Sequence, residues 1–288
     1  MSTKRIIISS STCAPSIYPS VFPSTRPLSV LSLLLSTNHV ITFSCPCSPC
    51  GGGPVQTDLV SLANERLLRS NQQSWLEFAD NRTGVEIGAT LFESISLGCL
   101  AVGSSKPTIY WLKDGVVIRG SPTVVELETN TEEKMQVSST ESHLYLNCLD
   151  SSHSGEYTCV ALIPGREISM TMNLAVTDDR GYTSCLIEQP TEGEEARVYM
   201  WTRGRLEYQS KDVQLFCRGY GTPQPEIKWL DTNGTLIESS EKYTIDSSGD
   251  LIIRNINSEN EGVYMCGAIN SKGAQAMPVF LYVILPPE

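Results

Sequence analysis

Residues Trp201–Cys217 read WTRGRLEYQSKDVQLFC, and a thiol closes the run. In its last five residues Val213, Leu215 and Cys217 alternate with polar or exposed-type residues. Alternation at period two marks a strand with one buried face. Twelve residues further on stands Trp229 in KWL, and later Tyr264 and Cys266 stand in GVYMC. A cysteine, then a tryptophan, then Tyr-x-Cys predicts two packed layers of strands. The cysteines bridge the layers, the indole packs on the bridge, and the tyrosine hydroxyl ties down the corner before the last strands.

The same spacing occurs earlier in the chain. Cys99 precedes Trp111 by twelve residues, as Cys217 precedes Trp229. Leu144 and Leu146 stand fifteen and thirteen residues before Cys159, and Leu251 and Ile253 keep the same distances from Cys266. Gly155 and Gly262 each lie two residues before their tyrosines, Tyr157 and Tyr264. A repeated unit at matched offsets makes the chain a tandem array. The fold class read from this is all-β, two tandem immunoglobulin-like sandwiches. The missing C′′ strand and the 49-residue interval of the second pair point to the intermediate, I-type form.

The expected organisation is a leader over residues 1–53 and a flexible segment over 54–74. A first immunoglobulin-like domain follows over 75–177, a linker over 178–195 and a second domain over 196–288. In the first domain TIYWL (108–112) and VVIRG (116–120) read as strands C and C′ around Lys113-Asp114-Gly115. HLYLNCL (143–149) is strand E, and ISMTMNLAV (168–176) is strand G. The cysteine interval here is 60 residues. The extra length contains ELETNTEEKMQVSSTES (126–142), which is polar and reads as a longer C′–D edge or loop. In the second domain VYMWTR and DVQLFC read as A and B, with Asn233-Gly234 turning C into C′. Pro278 in the last strand is expected at an edge or bulge.

Ten cysteines in such a pattern imply an oxidising compartment. The net charge is −11, and the first fifty residues contain three basic residues and no acid. No basic stripe serves nucleic acid or an anionic membrane. Val30–Phe43, VLSLLLSTNHVITF, is an interrupted apolar run behind Arg26, Lys4 and Arg5 and ahead of SCPCSPC. It resembles a secretory signal, although it begins far from Met1 and is broken by polar residues. It is too short to cross a bilayer, as is the C-terminal PVFLYVILPPE. The mature chain is expected to be secreted, without stable membrane insertion. Cys13, Cys45, Cys47 and Cys50 belong to the leader, and their spacing offers no second ligand pair for a metal.

Cys148 and Cys185 remain. Cys148 lies near the E–F turn, where strand G leaves, and Cys185 lies nine residues beyond Val176. A bridge between them would staple the linker to the base of the first domain and fix the interdomain angle; the alternative is two free or mispaired thiols. Asn81-Arg-Thr83 and Asn233-Gly-Thr235 are N-glycosylation sequons, with unmodified surface asparagines as the alternative. The cluster Asp150, His153 and Ser154 reads as an exposed turn rather than a catalytic triad, since no oxyanion donor or pocket wall accompanies it. No enzyme activity, cofactor or metal site is expected.

YMWTRGRLEYQSKDVQLFCRG, then SSGDLIIRNINSENEGVYMCGAINSKG, resembles the second domain of the nematode secreted zwei-Ig-domain proteins. SWLEF and PTIYWLKDG resemble both that family and the insect secreted insulin-binding two-immunoglobulin protein. The likeness spans roughly residues 74–288. Cys148 and Cys185 resemble an extra cysteine pair of the nematode family. The resemblance implies a secreted factor that maintains axon position in the nerve cord through extracellular or cell-surface proteins. It implies, as an alternative, capture of insulin-like peptides. Homophilic adhesion is a third reading. None of these brings a transferable ligand-binding residue.

Overall fold

A computed structural model describes residues 30–35, 39–44, 74–80, 82–123, 137–178, 185 and 193–285. Within the expected leader, β1 (Val30–Leu35) pairs antiparallel with β2 (His39–Ser44). Cys13, Cys45, Cys47, Cys50 and Asn81 lie outside the described residues.

The first sandwich has two layers. One holds β3 (Leu76–Phe78), β5 (Ile95–Gly103) and β8 (Val137–Leu146). The other runs in the order β4 (Val85–Thr90), β10 (Arg166–Thr177), β9 (Gly155–Ile163), β6 (Thr108–Lys113) and β7 (Val116–Arg119). The strands follow from side-chain alternation. In β10, Met170, Met172 and Leu174 are buried while Ser169 and the flanking Thr171 and Asn173 face outward or stay half-buried. Cys99 on β5 is bonded to Cys159 on β9 across the layers, with their Cα atoms 6.5 Å apart. Trp111 and Tyr157 pack around them with almost no exposure.

The second sandwich repeats the plan. β11 (Glu194–Tyr208), β18 (Ala274–Ile284), β17 (Gly262–Ile269) and β14 (Glu226–Leu230) form one layer. β12 (Val213–Leu215), β16 (Leu251–Ile253) and β15 (Tyr243–Ile245) form the other, and β13 (Cys217–Thr222) pairs with β11. Cys217 and Cys266 are bonded, their Cα atoms 5.9 Å apart, beneath Trp229 and Tyr264. Truncating either tryptophan would cost about 3–5 kcal/mol.

Both corner tyrosines act alike. Tyr157 Oη donates to the carbonyl of His153 at 2.8 Å, and Tyr264 Oη to that of Asn260 at 3.0 Å. Each acceptor ends a 3-10 turn closed by a reciprocal cap, Asp150 with His153 in one and Asn257 with Asn260 in the other. Ser154 accepts the Val176 amide at 3.0 Å. The Asp150, His153, Ser154 cluster is therefore occupied in holding a turn and a strand end. Pro278, expected at an edge or bulge, instead lies on β18 between β17 and β11 in the sheet. It is exposed, stands opposite Met265 of β17, and precedes the pairing with β11, which starts at Phe280, so on that side its missing N–H interrupts no ladder.

One expectation is overturned. Of the polar stretch that read as a longer edge or loop, residues 126–136 lie outside the described residues; from Val137 to Ser142 it is the first half of β8, and Ser138, Ser139, Thr140 and Ser142 are buried. β8 pairs with β5 on one side and, antiparallel, with β11 of the second sandwich on the other. The result is one continuous sheet, β3-β5-β8-β11-β18-β17-β14, running through both sandwiches.

Candidate binding surface at the domain junction

β11 joins the sandwiches because it pairs with three strands at different points along its length. Its N-terminal half pairs with β13, its C-terminal half runs parallel to β18, and its middle faces β8. A register shift between Thr202 and Gly204 leaves Arg203 bulged out of the β8 ladder. Its guanidinium bonds Glu141 at 2.7 Å, and His143 bonds the other oxygen at 3.0 Å. Burial pushes the Glu141 carboxyl up, but His143 and Arg203 outweigh it and hold it below the usual range.

The second sandwich also fills the core of the first. Met200 and Phe216 belong to the same buried cluster as Trp111, Cys99 and Cys159. Phe216 interrupts the strand between β12 and β13; its N–H donates to Thr202 Oγ1 at 2.8 Å, and its ring is fully buried. Ser142 ties the cores together: its hydroxyl accepts Trp111 Nε1–H at 3.0 Å and donates to the Tyr199 carbonyl at 2.8 Å. A smaller apolar cluster of Val102, Val137, Leu206 and Tyr282 closes the other end of the junction.

Beside Phe216 lies a buried polar network. Lys106 of the first sandwich donates to Gln214 Oε1, and its ammonium sits 4.0 Å from the centre of the Phe216 ring. Gln214 Nε2 donates to Asp250 Oδ2 at 2.8 Å, as does Arg218 Nη2 at 2.8 Å. The Cys217 amide reaches Asp250 Oδ1 at 3.1 Å. Asp250 has no exposure, and burial outweighs Arg218 to push its carboxyl up to about 6.

Along this junction a cleft of about 560 Å³ opens between β6–β7 of the first sandwich and β11–β13 of the second. Arg119 lies 3.9 Å from the centre of the Tyr220 ring and 5.6 Å from that of Tyr199. Burial raises the Tyr220 hydroxyl to about 12, with Glu194 adding to the effect, so the phenol stays a donor at neutral pH. Val116, Val117 and Ile118 on β7 are exposed beside the cleft.

The expected site residues are distributed as follows. Cys148 is bonded to Cys185, with Cα atoms 5.4 Å apart, at the end of the first sandwich. Asn233 is exposed on a turn in which Asp231 Oδ1 accepts the amides of Asn233 and Thr235. None of these lines the cleft. The residues at the junction were missed, although the sequence carries a sign of them. In VQLFC, Phe216 stands on the face opposite to Val213, Leu215 and Cys217, an outward aromatic that needs a cover.

Two bridged sandwiches that share a sheet define a tandem immunoglobulin-domain protein. Residues 207–283 match the Immunoglobulin I-set domain family, and residues 81–162 match the Immunoglobulin domain family. Immunoglobulin domains are typically binding or adhesion modules. The chain is 29% identical over 229 residues to the Zwei Ig domain protein zig-2 of Caenorhabditis elegans, covering 78% of this chain and 92% of zig-2. It is 27% identical over 227 residues to Neural/ectodermal development factor IMP-L2 of Drosophila melanogaster, covering 76% of this chain and 81% of IMP-L2. The crystal structure of IMP-L2 has a TM-score of 0.56 and 22% identity, and covers 74% of this chain and 96% of that one. The chain is thus a relative of the zwei Ig domain and IMP-L2 proteins. Among the described residues no helix is long and apolar enough to cross a membrane.

Proposed function

We propose that the chain is a secreted binding protein that engages an extracellular or cell-surface protein partner across its domain junction. The observation that carries this is the shared sheet, with Met200 and Phe216 seated in the first core. Tandem domains joined only by a linker move relative to one another by default. Here a partner meets two sandwiches already held as one surface, which lowers the ordering cost of binding. Three bridges suit an oxidising compartment, and the exposed Asn233 suits glycosylation there. The role proposed, holding axon position and nerve-cord organisation, follows from the resemblance to the nematode family, and the name of the similar neural/ectodermal development factor accords with a neural setting.

The test is capture from extracellular extract on the immobilised full chain, followed by rebinding of each captured protein in purified form. Saturable binding of a cell-surface or matrix protein is expected. Confinement of the native chain to the cytosol would end this reading. The second reading, capture of insulin-like peptides, follows from the resemblance to the insect insulin-binding two-domain protein. Titration with soluble insulin-like peptides separates the two, because lack of saturation removes the second. Homophilic adhesion predicts concentration-dependent dimers in sedimentation.

A further inference from the structure

The junction cleft has a polarity of its own. The chain as a whole carries −11, yet Arg119 and Arg218 both line this cleft. Among the described residues Arg119 makes no ion pair; its guanidinium lies against the rings of Tyr220 and Tyr199. Arg218 spends Nη2 on Asp250, while its Nη1 is buried and has no hydrogen-bond partner among the described residues. Tyr220 is 8% exposed, and its hydroxyl is likewise buried with no partner among the described residues. Ile109, Val117, Ile118 and Met200 supply apolar wall.

Buried donors left without acceptors are costly, and native structures hold few of them. Among the described residues two donors of one cleft, Arg218 Nη1 and the Tyr220 hydroxyl, lack an acceptor, and the half-buried Arg119 guanidinium beside them has no counter-charge. A guanidinium fork fits a carboxylate or another small oxyanion in two parallel hydrogen bonds. The apolar wall calls for an anion carried on an apolar body. The strongly acidic surface disfavours an extended polyanion such as nucleic acid or a sulfated glycan, which would meet repulsion everywhere else. The volume lies within the range of about 300–1,000 Å³ in which ligand pockets fall.

We propose that this cleft is a recognition pocket for a carboxylate on an apolar peptide segment of the protein partner, held by Arg119 and Arg218 with the Tyr220 hydroxyl as third donor. This rests on the reading of the chain as a partner-binding protein and names the chemistry of its site. The carboxylate comes from a glutamate or aspartate side chain or from a chain end.

Calorimetric titration of the full chain with three probes tests it: N-acetyl-Leu-Glu-Leu-amide, its Gln counterpart, and N-acetyl-Leu-Leu with a free carboxyl terminus. At least one acidic probe should saturate, and the one that does identifies the source of the carboxylate. The Gln probe should bind at least about tenfold more weakly, the lower end for loss of a charged hydrogen bond. Arg119→Gln and Tyr220→Phe should each weaken the acidic probe by about tenfold and leave the Gln probe unaffected. Tyr220→Phe removes a hydroxyl that bonds nothing in the free protein, so a folding defect does not obscure the result. No saturation by either acid, equal binding of the Gln probe, unchanged binding by both variants, or tighter binding of heparin than of the peptides would each overturn the proposal. Partner capture that persists in such a case would keep the broader function and remove only the pocket.

Discussion

Ser142→Ala tests whether the two cores act as one. Ser142 is fully buried on β8, where it takes the indole proton of Trp111 at 3.0 Å and gives its own to the Tyr199 carbonyl at 2.8 Å. Alanine removes both bonds and leaves the Trp111 N–H buried without an acceptor. An orphaned buried donor costs about 1–3 kcal/mol, and the second lost bond adds about 1 kcal/mol, so a loss of about 3 kcal/mol is expected. Ser96→Ala is the control: its hydroxyl is exposed, only 3.5 Å contact to His143 is lost, and its effect should stay within about 0.5 kcal/mol. Urea unfolding gives the total, and hydrogen exchange resolves where it falls. Protection should drop on β5 of the first sandwich and on β18 of the second, because β8 and β11 lie between them in one ladder. Combining Ser142→Ala with Trp111→Phe should cost less than the sum by about 1 kcal/mol, since the phenylalanine leaves no orphan. A loss no larger than the control, or one confined to the first sandwich, would refute the shared-core reading.

Further outcomes follow from the same junction. The raised Asp250 carboxyl, about 6 against an unfolded value of about 3.9, means that the folded state holds an extra proton between those values. Its contribution to stability is therefore full below the unfolded value and lost as pH rises through 6. Asp250→Asn should abolish that component of the pH profile, so the variant should compare more favourably with the parent chain at pH 7 than at pH 4; denaturation at the two pH values reads the difference. Tyr282→Phe deletes a second buried hydroxyl without a partner and should leave the melting temperature unchanged or raise it, by up to about 1 kcal/mol in stability. Replacing Cys148 and Cys185 together by serine reopens a loop of 37 residues, worth up to about 4 kcal/mol in the chain-entropy account. Solution scattering should nevertheless show an unchanged interdomain angle, because the β8–β11 ladder and the buried network persist.

Each sandwich was legible in the sequence because its signals are local in kind and repeated. A bridge, an indole and a corner tyrosine stand at spacings that only two packed layers satisfy, and Cys99, Trp111, Tyr157 and their counterparts take those places. The junction was not legible in the same way. β8 begins with Val-Ser-Ser-Thr-Glu-Ser, a run that hydropathy assigns to solvent. A strand paired on both sides does not need large apolar groups where another domain lies close. Small hydroxylated residues admit the approach, and Thr suits the pleat. Arg205 and Glu207 mislead similarly: charged residues two apart on β11 look exposed, yet they pair at 2.8 Å with 5% and 2% side-chain exposure.

The cleft follows from this arrangement rather than from any motif within one domain. Strand β12–β13 has an inner face, Val213, Leu215 and Cys217, that completes its own sandwich. Its outer face, Gln214, Phe216 and Arg218, would be ordinary surface in an isolated domain. Docking the first sandwich there buries Phe216 in the foreign core and draws Gln214 to Lys106. Arg218, one step further along the same face, spends Nη2 on Asp250 and, among the described residues, leaves Nη1 without a partner in the lining of the cleft that Arg119 also lines. Two guanidinium groups would repel and splay on free surface. Here the Tyr220 ring holds Arg119, and the Phe216 ring and the Asp250 carboxylate hold Arg218, in the lining of one cleft. A surface that keeps like charges together against their repulsion, with donors unspent, is already organised for the anion that would relieve it.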